Sequence, residues 1–188
     1  MTVESDPRVA RSKAAIIEAA TQLLLDGGVH AITVDAVAER SGVSKATIYR
    51  HWESRQDLIL DALHRLKPAH PVPDHGNVRA DLVHLLSGLR DHLASPAAAA
   101  FTSMAGAAEH DPELARVRQE FTTARRHPIQ TVVERAIERH ELPADLDVDF
   151  FISSVVGPLF YRRVVQGRSV PQAWAELAVD SALARFQC

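Results

Sequence analysis

The sequence is poor in cysteine and in long apolar runs. Its single cysteine, Cys188, is the last of 188 residues, so no disulfide can form within the chain. A disulfide-stabilised secreted scaffold is therefore excluded, and a reducing, cytoplasmic location is expected. The longest strongly apolar stretch, around 150–160, is too short to span a bilayer. The N-terminus has no apolar segment followed by a cleavage site, so we expect neither a signal peptide nor a membrane partner.

Positive charge is also scarce for a protein that would bind nucleic acid. The formal net charge is −3, and residues 1–66 hold eight Lys/Arg against nine Asp/Glu, or −1. Any attraction to DNA must therefore come from where the charges are placed and not from their total. The hydrophobic content of 46% and the charged content of 24% are ordinary for a folded globular protein.

Motifs for catalysis and metal binding are missing. The sequence has no phosphate-binding loop, nucleophile elbow or zinc motif. The pairs His70/His75 and His84/His92 lack the i, i+4 spacing that places two ligands on one helical face, and no cysteine assists them. The polar cluster 109–111 is typical of a helix cap. We therefore expect no metal, no cofactor and no enzymatic activity.

Helical periodicity runs through most of the chain, and no segment predicts a strand. The pattern indicates an all-α fold. Three prolines and a glycine interrupt it at 67–77, where no helix can continue. We place a domain boundary there, which gives an N-terminal domain at 7–66 and a C-terminal domain at 77–188. Pro128 predicts a kink or break in a later helix.

Local signals divide the N-terminal domain into helices. Pro7 marks the start of the first helix, and Gly27 with Gly28 marks its end. Ser54 with Asp57, three residues later, forms a capping box that opens the fourth.

The stretch "SGVS" at 41–44 joins the second and third predicted helices. Thr33 can cap the second helix, and Gly42 suits the left-handed backbone of a sharp turn. Val43 is apolar and can fill the gap between the helices, while Ser44 caps the third. This arrangement predicts a helix-turn-helix whose second helix reads the major groove of DNA.

The third helix has one inward and one outward side. Ile48 and Trp52 are four residues apart and predict the inward side. Lys45 can donate to guanine, and the methyl group of Ala46 can touch a thymine methyl. Polar side chains nearby suit phosphate oxygens, although Arg50 could also reach a base and His51 could instead pack at the helix end. The predicted DNA-binding residues are Thr33, Ser44, Lys45, Ala46, Thr47, Tyr49, Arg50, His51 and Arg55.

These residues stand within "AAIIEAATQLLLDGGVHAITVDAVAERSGVSKATIYRHWESRQDLILDAL". From Arg11 to Leu66 the sequence resembles the DNA-binding domain of the TetR family of bacterial transcriptional repressors. The resemblance implies an all-helical homodimer that binds a palindromic double-stranded operator and is released by a small molecule. It also implies base contacts for Lys45 and Ala46. Asp35 departs from the pattern, because some relatives carry a DNA-contacting cation there. "GPLFYRRVV" also resembles a recurrent element of one subgroup.

The C-terminal domain is predicted to bind the effector and a second copy of the chain. Residues 148–165 are apolar on nearly all sides, which predicts burial by their own domain and by a partner. Pro158 predicts a bend in this helix. The predicted dimer residues are Val155, Leu159, Arg162, Trp174, Leu177, Ala178 and Ser181. The predicted lining of a largely apolar effector pocket is Phe101, Met104, Phe121, Phe150, Phe151, Phe160 and Tyr161.

An alternative from another class stays open. The near-neutral N-terminal part and the acidic Asp35 also fit a helical small-molecule-binding protein or enzyme whose helix-turn-helix is vestigial. Binding to no genomic DNA fragment at low salt would favour that alternative.

Overall fold

The computed structural model describes residues 7–66 and 71–186. Within them the backbone is helical and contains no β-strand, which confirms the predicted all-α fold. The helices are α1 (Pro7–Gly27), α2 (Val34–Ser41), α3 (Lys45–His51), α4 (Arg55–Leu66), α5 (Val78–Ala94), α6 (Ala97–Ala107), α7 (Pro112–Glu138), α8 (Val148–Phe160) and α9 (Ala173–Phe186). A 3₁₀ turn, Val29–Ala31, follows α1, and a π-helical stretch, Tyr161–Val165, follows α8. None of the described helices is long and apolar enough to cross a membrane.

The second helix begins and ends where the sequence predicts. Thr33 Oγ1 accepts a hydrogen bond from the Ala36 amide at 3.1 Å and so caps α2. At the other end, Gly42 has a φ of 69°, and its amide donates to the carbonyl of Ala38 at 3.0 Å. A residue with a Cβ would be strained in this left-handed conformation, so glycine permits the turn.

Two further caps build the helices on either side of Trp52. Ser44 Oγ accepts a hydrogen bond from the Thr47 amide at 3.3 Å and starts α3. The capping box of α4 is confirmed, because Ser54 Oγ accepts from the Asp57 amide at 3.1 Å. In return, the carboxylate of Asp57 accepts from the Ser54 amide at 3.0 Å. The connection from α3 to α4 is therefore short and defined.

The first of two compact units combines the N-terminal helices with a later segment. It comprises residues 1–68 and 99–122, of which the structure describes 7–66 and 99–122. Its core holds fully buried residues from α1, α2 and α4 together with Met104 of α6 and Leu114 of α7. The unit is therefore larger than the predicted domain, because apolar residues of α6 and α7 complete its core. Since residues 67–70 lie outside the described part, the boundary proposed at 67–77 stays a prediction.

The second compact unit comprises residues 69–98 and 123–188, of which the structure describes 71–98 and 123–186. Its core is formed by α5, the second part of α7, α8 and α9. Fully or nearly buried residues include Leu82, Val132, Phe151 and Val179. Buried carboxylate Asp81 accepts a hydrogen bond from the amide of His75 at 2.7 Å, which holds the segment before α5 against that helix.

The two helix-internal prolines do not break their helices. α7 continues through Pro128 without interruption, because the loss of one backbone hydrogen bond is offset by buried neighbours such as Ile129 and Val132. α8 continues past Pro158, and the Tyr161 amide donates to the carbonyls of both Gly157 and Pro158. The π-helical stretch begins at this shared hydrogen bond.

Candidate nucleic-acid interface

The candidate reader helix, α3, is fixed along one side by two buried residues. Ile48 is 1% exposed and Trp52, directly after the helix, is 4% exposed, which confirms the predicted inward side. The indole Nε1 of Trp52 donates to Asp61 on α4 at 2.8 Å. From α1, the ammonium of Lys13 lies 5.8 Å from the centre of the indole ring. Trp52 therefore connects the reader helix to α1 and α4. No local sequence signal indicated that Asp61 and Lys13 contact it.

The opposite side of α3 is open to solvent. The side chains of Lys45, Ala46, Tyr49 and Arg50 are exposed, whereas Thr47 is partly buried. Small and polar residues at the N-terminal end of the helix allow it to approach base edges. The structure thus brings the predicted base-contacting residues together on the exposed tip of one short helix.

An ion pair joins the tip of α3 to the start of α2. The ammonium of Lys45 contacts the carboxylate of Asp35, which lies in the first turn of α2. This contact places the amide-bearing ends of α2 and α3 at the same surface. The hydrogen bond and the charge of Asp35 raise the pKa of Lys45, so the side chain remains a cation.

Arg50 is directed toward the same tip. Its Nη2 donates to Thr47 Oγ1 at 3.4 Å, and that hydroxyl lies 3.0 Å from Ser44 Oγ. Ser44, Thr47 and Arg50 therefore form a chain of polar groups along the first turns of α3. The guanidinium is thus turned back toward the first turn of the helix and not toward its far end.

Arg55 lies differently from its predicted place on a DNA phosphate. Its Nε donates to the carbonyl of Ile32 at 2.5 Å, and its Nη2 donates to the carbonyl of Val29 at 2.8 Å. The side chain is partly buried and supplies donors to carbonyls of the turn between α1 and α2. Because its partners are 23 and 26 residues upstream, no local sequence pattern could indicate this contact.

The remaining predicted DNA-binding residues are accessible to different degrees. Thr33 and Ser44 are exposed, although each side chain already caps a helix. Tyr49 is 56% exposed, which leaves its hydroxyl open to solvent. His51 is partly buried, with its ring edge toward Trp52 at a centroid distance of 5.7 Å. The ring of His51 therefore packs against Trp52 and stays partly open to solvent.

The predicted pocket residues fall into both compact units. Met104 and Phe121 are buried in the first unit, where the rings of Phe101 and Phe121 lie 5.8 Å apart. In the second unit Phe151 is fully buried, but Phe150 and Tyr161 are about half exposed. Phe160, the remaining residue of the predicted pocket, is partly buried. The two exposed aromatic residues are thus surface positions in the isolated chain and not walls of an enclosed cavity.

A surface depression of about 510 Å³ lies elsewhere in the first unit. None of the predicted aromatic residues lines it. Its lining consists of Pro112, Ala115, Arg116, Arg118, Gln119 and Thr122.

The predicted dimer residues also divide into buried and exposed groups. Val155 and Leu159 are fully buried in their own unit, and Ala178 is 6% exposed, so a second copy would have to contact other residues. Leu177 is 58% exposed and Ser181 is also exposed. Between these groups, Arg162 and Trp174 are partly buried, with the guanidinium 4.4 Å from the centre of the indole ring.

Histidines and acids do not form a candidate metal centre in the described residues, where no three such ligands converge. His75 Nδ1 lies 2.8 Å from the buried carboxylate of Asp81, and its ring lies 5.3 Å from that of His84. His70, considered with His75 in the sequence, lies outside the described residues.

A helical fold in which an exposed reader helix follows a turn with a left-handed glycine defines a helix-turn-helix DNA-binding protein. Residues 16–62 match the family model described as bacterial regulatory proteins, tetR family. Residues 72–182 match the model described as tetracyclin repressor-like, C-terminal domain. The chain belongs to the TetR family of DNA-binding transcriptional regulators, as its sequence resemblance predicted.

Individual relatives agree over nearly the whole chain. The HTH-type transcriptional regulator YdeS of Bacillus subtilis strain 168 is 35% identical over 183 residues, which cover 96% of this chain and 92% of YdeS. The crystal structure of the TetR family transcription regulator SCO0332 has a TM-score of 0.75 at 28% identity, covering 92% and 97% of the two chains. The flavonoid-responsive regulator FrrA has a TM-score of 0.70 at 26% identity, covering 95% and 98%.

Proposed function

We propose that this protein is a repressor that binds a palindromic operator as a homodimer and is released by a small molecule. The observation that carries the proposal is the exposed start of α3, where Lys45 and Ala46 are adjacent and Arg50 donates back to Thr47. On the other side of the helix, Ile48 and Trp52 are buried and fix its position. The exposed surface has no packing role within its unit, and its shape and donors suit a major groove.

The exposed groups divide into base-directed and phosphate-directed contacts. Lys45 and Ala46 face base edges, and Arg50 is assigned to the same side because its guanidinium lies at the tip. Phosphate contacts are assigned to Thr33, Ser44, Thr47, Tyr49 and His51. These contacts set the register of the protein on DNA. The cations Lys45 and Arg50 confer salt dependence, because positive side chains that enter the field of the duplex release its bound cations.

Arg55 receives a different role in the proposal. Its two hydrogen bonds to main-chain carbonyls fix the turn that precedes α2. It therefore supports the position of the DNA-binding helices, and a direct phosphate contact is no longer assigned to it.

Dimerisation is assigned to the exposed apolar side of α8, the π-helical stretch and α9. Phe150, Tyr161, Val165 and Leu177 are each about half exposed or more in the isolated chain. Apolar side chains gathered on neighbouring helices would be covered by a second copy, since one self-complementary surface forms a twofold interface. A twofold dimer matches a palindromic operator with half-sites one DNA turn apart or a multiple of it.

The effector is proposed to be a largely apolar small molecule. The support comes from FrrA, a solved structure of the same fold, which is by its description flavonoid-responsive. The helices α6 and α7 belong partly to each compact unit, so a ligand that displaces either helix would also act on the DNA-binding unit. Release from DNA then requires that the ligand bind one conformation more tightly than the other.

Selection of bound fragments from the source genome tests the proposal directly. The expected result is a set of fragments that share one palindrome, bound with an affinity that falls steeply as salt increases. Genes beside the recovered sites would indicate the effector class, and candidate effectors would then be tested for release of the complex. Failure to retain any fragment at low salt would instead favour the helical enzyme or small-molecule-binding protein considered above.

A further inference from the structure

The carboxylate of Asp35 lies directly beside the proposed base-reading cation. Asp35 and Lys45 form an ion pair although both side chains are well exposed, at 75% and 58%. The contact buries little of either side chain, and exposed ion pairs contribute little to folding stability. Packing therefore does not explain the pair, which joins the first turn of α2 to the first residue of α3 and places a negative charge beside the proposed DNA-reading surface.

The two side chains together present a donor next to an acceptor. In the major groove, guanine offers the acceptors N7 and O6, and its paired cytosine offers the N4 amino donor. The ammonium of Lys45 has three donors, so it can keep Asp35 and still bind guanine. The carboxylate of Asp35 can accept from the cytosine amino group. In a reversed C·G pair the donor and acceptors exchange places, so the fixed order of the two side chains favours one orientation.

We propose that Asp35 is a specificity-determining residue that reads one G·C pair in each half-site together with Lys45, an inference that rests on the proposed function. Without Asp35, the ammonium can bind any acceptor, including the phosphate oxygens of unrelated DNA. With Asp35, contact of Lys45 with a phosphate brings the carboxylate against the negative charge of the DNA backbone, and contact with a reversed pair brings it against the guanine acceptors. Asp35 therefore lowers affinity for unrelated sequences more than affinity for the operator.

The test compares the base preferences of the full-length protein and its variants by selection from randomised duplexes. Titrations with the selected operator and with an unrelated duplex follow. Asp35→Ala should weaken the preference for the G·C pair about tenfold, within the range of one good base contact. It should also raise the affinity for unrelated DNA severalfold at low salt. Asp35→Asn keeps the size of the side chain, and it should share the gain in non-specific affinity.

Two further variants separate the local effect from general electrostatics. Asp26→Asn removes the same charge from another exposed acid of the same compact unit, whose partner is Arg40 at 2.6 Å. It should change neither the base preference nor the affinity for unrelated DNA. Lys45→Ala should weaken the preference at the same base pair, and the double variant with Asp35→Ala should lose little more, because the two residues act on one contact.

The variants Asp35→Ala and Asp26→Asn decide whether Asp35 reads a base pair. If the wild type selects a palindrome and Asp35→Ala leaves its base preferences unchanged, the role of Asp35 is wrong while the proposed function stands. An equal effect of Asp26→Asn would also overturn the inference, because net charge would then explain the data. If the wild type selects no sequence, both the proposed function and the role of Asp35 fail. Circular dichroism of each variant confirms that loss of preference does not come from unfolding.

Discussion

Trp52 donates a hydrogen bond from its indole nitrogen to the carboxylate of Asp61, with 2.8 Å between Nε1 and Oδ2. The bond joins the end of α3 to the middle of α4, and Trp52 is only 4% exposed. A buried indole N–H needs an acceptor, because it loses its water on folding. The position of the reader helix therefore depends on one carboxylate in the next helix.

Asp61→Ala should lower the free energy of unfolding by about 1–3 kcal/mol, since the buried N–H of Trp52 loses its partner. Urea denaturation followed by circular dichroism measures this change. In a Trp52→Phe background no N–H remains, so the same Asp61→Ala change should cost much less. Equal costs in both backgrounds would show that the hydrogen bond is not the cause.

Lys45→Ala should weaken operator binding about tenfold or more and relax the preference at one base pair of each half-site. The reason is that its ammonium lies at the exposed tip of α3. Fluorescence anisotropy with the selected operator and with single-pair variants of it measures both effects. Arg40→Ala is the matched control, because Arg40 is also a cation paired with an acid but lies in the last turn of α2. Unchanged operator binding by Lys45→Ala would remove Lys45 from the reading surface.

Arg55→Ala should destabilise the protein by about 1.5 kcal/mol or more, because the carbonyls of Val29 and Ile32 lose a charged donor. Arg55→Lys should restore little, since one ammonium lacks the fork that reaches both carbonyls. Thermal denaturation of both variants measures stability. The slope of operator affinity against salt concentration should stay near that of the wild type. A slope reduced by about one would instead indicate a direct phosphate contact.

The sequence was sufficient to predict interactions between residues that lie close together along the chain. Caps by Thr33 and Ser44, the turn at Gly42 and the inward pair Ile48 and Trp52 depend on residues at most four positions apart. Helical geometry relates such neighbours directly, so their spacing is informative.

Contacts between distant segments could not be predicted in this way. The partners of Arg55 and Trp52 depend on how α4 packs against α3 and against the turn between α1 and α2, which no spacing within one helix records. The same holds for the apolar residues of α6 and α7 that complete the first core.

The stripe of α9 that is buried in its own unit differs from the residues predicted for the dimer contact. The sequence predicted a dimer contact through Trp174, Leu177, Ala178 and Ser181, whereas the stripe buried within the chain is Ala175, Ala178, Val179, Ala182 and Leu183. Small residues occupy several sides of this helix, so two overlapping stripes fit a helical period. Only packing against α5 and α8 distinguishes them.

Gly28→Ala should destabilise the protein by about 2 kcal/mol or more, for two reasons. Gly28 has a φ of 69°, and a Cβ there would overlap the side chain of Ser103, coming within 2.9 Å of its Cβ. Gly76→Ala is the control, because Gly76 has a φ of 85° but nothing within 4 Å of an added Cβ. Combining Gly28→Ala with Ser103→Gly should recover the part due to overlap. Equal losses of melting temperature for both alanine variants would show that backbone strain alone matters.

Leu177→Glu should shift the protein from dimer toward monomer, because it places a charge on the apolar surface assigned to the interface. Leu177 is 58% exposed in the isolated chain, so the change should leave the fold intact while making burial against a second copy unfavourable. Light scattering at micromolar concentration gives the oligomeric state, and circular dichroism confirms folding. Val9→Glu introduces the same charge at another exposed apolar residue, on α1, and should leave the dimer unchanged. Because each monomer presents one reader helix, Leu177→Glu should also weaken binding to the full palindrome far more than binding to a single half-site. A wild type that is monomeric under these conditions would contradict the assigned interface.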